Sequence, residues 1–177
     1  MLMLRLRVAI CLFALCALAR PASAGTALVP LDYPRSLKVD ANLRDAIEQM
    51  RAGSATFRAQ CERLDAEQKL VVLLRLDPTL SKVRVRARSV IKRYSSGLLV
   101  ATVLVAPASD QAEWIAHEFE HVIEVLDGGY QASDLRHQRH GLTASPDGMI
   151  ESTRAMTVGR TVLHETRSID VSDKIVE

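Results

Sequence analysis

Between residues 42 and 67 the apolar residues Leu43, Ile47, Met50 and then Phe57, Cys61, Leu64 recur at the period of a helix with one buried face. Gly53-Ser54 interrupts the stretch, which predicts two helices or one kinked helix, with Ser54 able to cap the second. The pattern then changes. Leu70–Leu76 (LVVLLRL) is a short apolar run closed by Asp77-Pro78, and it predicts a buried strand. Residues 82–88 (KVRVRAR) alternate strictly, with Val83, Val85 and Ala87 on one side and Arg84, Arg86 and Arg88 on the other, as in a half-exposed strand. The arginine row reads as a solvated outer face in preference to an anion-binding one. After a turn at residues 94–97 (YSSG), residues 98–105 (LLVATVLV) predict a further strand, ended by Pro107. The middle of the chain is therefore expected to be a small antiparallel sheet of two or three strands.

That sheet leads into a helix from about Gln111 to Leu126, which Ser109 or Asp110 can cap and Gly128-Gly129 stops. Trp114, Ile115, Phe119, Val122, Ile123 and Val125 spread round much of its girth, so it is expected to be central and buried. Residues 130–147 lack a sustained apolar pattern and read as a long loop of the kind that walls a site. Residues 149–167 show a second helical pattern, in which Ser152, Ala155 and Gly159 are small enough for close packing on the first helix. Residues 168–177 suggest a short strand or frayed tail, and residues 25–39, with Pro30 and Pro34, an extended lead-in. Helices on either side of a small sheet make the expected class α+β.

The N-terminus changes the reading of composition. Arg5 and Arg7, an apolar run from residue 8 to 19, and Ala22-Ser23-Ala24 have the form of a secretory signal peptide cleaved after Ala24. The run is short for a membrane span. The expected organisation is a leader at residues 1–24 and a single domain at 25–177, secreted or periplasmic, with no membrane attachment after cleavage. Arg20 also lies in the leader, so the formal net charge of +2 turns slightly negative without it. No basic excess then argues for nucleic acid. Cys11 and Cys16 leave with the leader as well, and the remaining Cys61 reads as a small buried hydrophobe.

The chemistry is concentrated at residues 110–128 (DQAEWIAHEFEHVIEVLDG). His117, Glu118 and His121 spell H-E-x-x-H, and residues four apart lie on one helix face, so two imidazoles can meet one metal ion. Buried histidines and glutamates need partners, and no basic residue stands near them in the sequence. A divalent cation would resolve the conflict.

On these residues the chain resembles the zincin-type zinc metallopeptidases, in the form of a small secreted bacterial protein of no characterised family. The resemblance covers about 40 residues in broad pattern, from residue 98 onward, and is specific only over 117–121. It implies a zincin-like fold with Zn2+ held by His117, His121 and a third ligand, and Glu118 activating a water. Three residues compete for the third place. Glu124 shares the histidine stripe, but a straight helix cannot easily wrap three consecutive ligands round one ion, so it fits a supporting partner of a histidine better. Asp127 stands where metzincins carry their third ligand, but Glu124 occupies the position of their bend-forming glycine. Glu151, at the expected start of the second helix, matches the gluzincin branch and is preferred. Tyr130, Arg136, His137, His140 and His164 are the available residues for steadying an oxyanion, with His164 expected off the site. The implied function is hydrolysis of a peptide or protein substrate, with an exported, non-catalytic zinc-binding or interaction module as the alternative. Oligomeric state has no signature in the sequence.

Overall fold

Leu28–Pro30 (β1) and Leu37–Asp40 (β2) form an antiparallel pair inside the expected lead-in, with Val29 opposite Val39. In this computed structural model residues 27–128, 142–144 and 150–173 are described. The leader expected at residues 1–24 lies outside them, and so do Tyr130, Arg136, His137 and His140; of the loop expected at 130–147 only residues 142–144 are described.

A short 3-10 turn at Ala41–Leu43 leads into two helices, Arg44–Gly53 (α1) and Ala55–Asp65 (α2). Ser54 separates them as expected: its backbone is extended, and its hydroxyl accepts a hydrogen bond from the Phe57 N–H at 2.9 Å. The helix pair gives the chain enough length to return to the same end of the sheet. Leu70–Leu76 (β3) therefore joins β2 in parallel.

Thr79–Lys82 (α3) is one helical turn, held by Asp77 Oδ1, which accepts from the Thr79 N–H and hydroxyl at 2.9 and 2.6 Å. Ala87–Arg93 (β4) and Leu99–Val105 (β5) then make a hairpin across the turn at 94–97. The strand expected at residues 82–88 is thus displaced. Arg84 adopts a left-handed backbone with φ 59°, and the alternating valines on either side of it lie in the reversal, where Val83 is 66% exposed. Pairing with β5 fixes the true register, Ala87 opposite Val105 and Arg93 opposite Leu99.

The strand order is β1-β2-β3-β5-β4. This corrects the expectation of an antiparallel sheet: β2, β3 and β5 run parallel, and only the outer strands β1 and β4 run against their neighbours. The class is α+β. One sheet face carries the buried residues Val72, Leu74, Ala101, Val103 and Val105, which join Ile47, Met50, Phe57, Leu64, Ile115, Phe119 and Val122 of the helices in one contiguous core. Each large side chain buried there contributes roughly 1.5–3 kcal/mol. Cys61 belongs to this core, and burial pushes its thiol up to about 12, which removes it as a nucleophile.

Gln111–Leu126 (α4) has the expected bounds and crosses the middle of the molecule, with every residue from Ile115 to Ile123 buried. Leu142–Ala144 (β6) and Ile150–Ser152 (β7) form a separate antiparallel pair, followed by Thr153–Asp173 (α5). The second long helix thus begins at Thr153, so Glu151 lies on a strand before the helix, and the expected tail is helical as far as Asp173. The physical reason is Ser152, whose side chain accepts from the Ala155 N–H at 2.9 Å and starts the helix there. No helix among the described residues is long and apolar enough to cross a membrane.

Glu165 of α5 ties that helix to the N-terminus of α2. Its carboxylate accepts from the Ser54 hydroxyl, the Thr56 N–H at 3.1 Å and the Thr56 hydroxyl at 2.9 Å. Burial works against the charge, but these hydrogen bonds outweigh it and hold the Glu165 pKa below the usual glutamate value. Ser54→Ala is expected to cost about 1–2 kcal/mol in chemical denaturation, from the lost cap and the loosened Glu165. A depressed folded pKa stabilises the protein above the unfolded carboxyl pKa and stops doing so as the pH falls through the folded value. The stability difference between wild type and Glu165→Gln should therefore be full at neutral pH and shrink on acidification.

Candidate metal centre

The centre of α4 is wrapped by groups from four other elements. Its close approach to α5 depends on Gly159, where a Cβ would lie 2.7 Å from the Glu113 carbonyl oxygen and 3.2 Å from His117 Cβ. Ala155 and Val162 continue the buried face of α5. This contact brings β7, and with it Glu151, against the histidine face of α4.

His117 Nε2 and His121 Nε2 are 3.1 Å apart, and Glu151 Oε2 is 3.1 Å from His117 Nε2. One ligand atom from each of the three residues lies within 4.8 Å of the other two. Tetrahedral ligands about 2.1 Å from a zinc-sized ion would be roughly 3.4 Å apart, so the cluster could hold a metal ion. The histidines are nearly closed to solvent, while the Glu151 side chain is 39% exposed, leaving one side of the cluster open.

The donor chemistry fits a cation too. Glu124 Oε2 lies 2.9 Å from His121 Nδ1, and Glu124 Oε1 accepts from the Ser152 hydroxyl at 2.6 Å. A carboxylate facing Nδ1 favours the tautomer with hydrogen there, which leaves the Nε2 lone pair of a neutral ring free for a cation. Ser152 thus both starts α5 and steadies the glutamate that orients His121. Burial alone would lower the His121 pKa, but the bond to Glu124 and the charges of Glu118, Glu124 and Glu151 raise it. The hydrogen bond from His117, against partial burial, holds Glu151 below its usual value.

Glu118 points to the sheet side of α4. It is 5% exposed, and the Ser89 hydroxyl on β4 lies near enough to favour its charged form. Burial raises its pKa against the opposing pull of the two histidines and Ser89. A carboxyl so raised is closer to the range in which it can both accept and return a proton.

Glu120 occupies the remaining side. Gln60 Nε2 donates to its Oε2 at 2.7 Å and to the Ala116 carbonyl at 2.9 Å, and Arg154 Nε donates to Oε1 at 2.5 Å. The other arm of Arg154 reaches Asp127 at 3.1 Å, which Arg63 meets from α2 at 3.0 Å. Asp127 is therefore engaged by two arginines, and it is not part of the cluster with His117 and His121. Burial works to raise its pKa, but the hydrogen bonds and charges of the two arginines together outweigh it and lower it. His164 is exposed on α5, apart from the cluster. The basic partner absent from the local sequence of α4 is Arg154, three residues after Glu151. Its one sequence signal is a cation in the first turn of a helix, where the dipole favours acids. Ser89, Gln60, Glu120 and Ser152 carried no signal that pattern or spacing could isolate.

No family model, curated protein or solved structure matches this chain.

Gly159→Ala should push α5 from α4 beside His117, lowering stability by about 1–3 kcal/mol despite its better helix propensity, as read by thermal unfolding. Arg154→Ala leaves Glu120 short of its cation and frees the start of α5. The expected cost is roughly 2 kcal/mol, below that of a fully buried pair because Arg154 is half exposed. Metal affinity should fall about tenfold with it, measured by competition with a chelating dye, since Glu151 loses its anchor.

Proposed function

We propose that the protein is a zinc-dependent hydrolase acting on peptide bonds. The observation that carries this reading is the convergence of His117, His121 and Glu151 beside a buried Glu118 that is not needed as a ligand. Two neutral imidazoles and one carboxylate form a donor set suited to zinc that leaves a coordination position free. Zinc bound there would supply Lewis acidity to a water and to a substrate carbonyl. His121 is held in a ligating orientation by Glu124, and Glu124 by Ser152. Glu118 is the residue to take the water proton on a carboxylate oxygen and return it to the leaving amine. The Ser89 hydroxyl of β4 lies beside that carboxyl.

The exposed edge of β4 supports a peptide as substrate. β4 is the last strand of the sheet among the described residues, and an extended chain can add to such an edge by main-chain hydrogen bonds. A substrate strand laid there passes next to Ser89 and so next to Glu118. The leader expected at residues 1–24 fits an exported enzyme.

The protein is expected to retain about one equivalent of zinc after dialysis, measured by atomic emission, and to lose it on joint replacement of His117 and His121 by Ala. Glu118→Gln should keep the metal but lower cleavage of a quenched fluorescent peptide library by at least about a hundredfold. Retention of zinc with no cleavage by the wild type would leave a metal-binding module and reject the hydrolase. Absence of zinc in both proteins would reject the site itself.

A further inference from the structure

The face of β4 turned away from the helices carries Arg88, Val90 and Lys92, all exposed, with Val90 at 45%. The register continues each of them across the sheet: Arg88 with Leu104 and Arg75, Val90 with Thr102 and Leu73, Lys92 with Val100 and Val71. At the free edge itself, an exposed valine therefore stands between two cations. Among the described residues neither Arg88 nor Lys92 has an ion-pair partner within 4 Å. The charge of Arg88 is felt at Asp77, whose Oδ1 is already held by Thr79. Charges alone would serve to keep a bare edge from pairing with another copy. An exposed valine midway between them does the opposite, because it adds apolar area to the edge that the charges would protect.

We propose that β4 binds an extended acidic segment of the substrate, with acidic, apolar and acidic side chains at alternate positions opposite Arg88, Val90 and Lys92. This rests on the reading of the site as a peptide hydrolase and supplies its substrate class. Directly opposed side chains on neighbouring strands stand about 5 Å apart, close enough for each charge to meet its counter-charge. The intervening substrate residues turn to the other face, beside Ser89 and Ile91, where Ser89 leads to Glu118. The strand edge presents the bond to be cut, and the Arg88–Lys92 row selects and registers the chain that carries it.

The test uses zinc-loaded Glu118→Gln protein and a fluorescein-labelled peptide with Glu, Val and Glu at alternate positions separated by Thr. Its twin has Gln in place of both Glu. Fluorescence anisotropy should show the acidic peptide binding at least about fivefold tighter than its twin, with the preference fading at about 0.5 M salt. Arg88→Glu with Lys92→Glu, both exposed and so without cost to the fold, should abolish or invert the preference while leaving zinc content unchanged. Equal binding of the two peptides, or a preference that survives the double substitution, would overturn the proposal. The hydrolase reading is scored separately by cleavage with wild-type protein. Cutting of neutral peptides without regard to Arg88 and Lys92 keeps the enzyme and removes this specificity. Charge-dependent binding without cleavage keeps the docking edge and removes the enzyme.

Discussion

A helix that buries His117, Glu118, Glu120 and His121 within a turn and a half must find a partner for each, because an unpaired buried charge costs several kcal/mol. Every neighbouring element answers part of that demand. Ser89 comes from β4, Gln60 from α2, Arg154 from the start of α5, and Glu151 and Ser152 from β7. Each side of α4 has its own partner. The apolar core around Phe57 and Phe119, whose rings stack 5.7 Å apart, holds the helix in place, and the polar contacts fix its rotation.

The two sides of α4 have different electrostatics. Around Glu120 and Asp127 the acids are matched by Arg154, Arg63 and Gln60, so that side is closed by the protein's own charges. Around His117 and His121 the surplus is carboxylate: Glu118, Glu124 and Glu151 face two imidazoles and one serine hydroxyl each for Glu118 and Glu124. A divalent cation would balance that side. Arg154 connects the two halves, since it satisfies Glu120 at one end of a segment whose other end is Glu151. The close contact at Gly159 makes the connection possible, because a Cβ there would meet the backbone of α4.

Much of this could be read from local pattern. The breaks at Ser54 and after Leu76, the bounds of α4, and its burial all follow from periodicity and capping, which act within a few residues. The displaced strand at 87–93 shows where pattern fails. Alternation in residues 82–88 is the same in a loop as in a strand, and only the hairpin with β5 tells them apart. The parallel order of β2, β3 and β5 was hidden for a similar reason, since strand direction depends on the path of the intervening helices.

Helical geometry alone put His117 and His121 on one face and Glu118 beside them, because four-residue spacing is a local property of the backbone. The partners were decided by the tertiary fold. Glu151 and Asp127 are both acids at plausible distances along the chain, and β7 carries one to the histidines while two arginines hold the other away. Helical spacing marked Glu124 as a candidate partner of a histidine, and the fold decides that its two oxygens meet His121 and Ser152. Spacing within a helix is written in neighbouring residues; the matching of a buried charge to its partner depends on contacts between segments that only folding brings together.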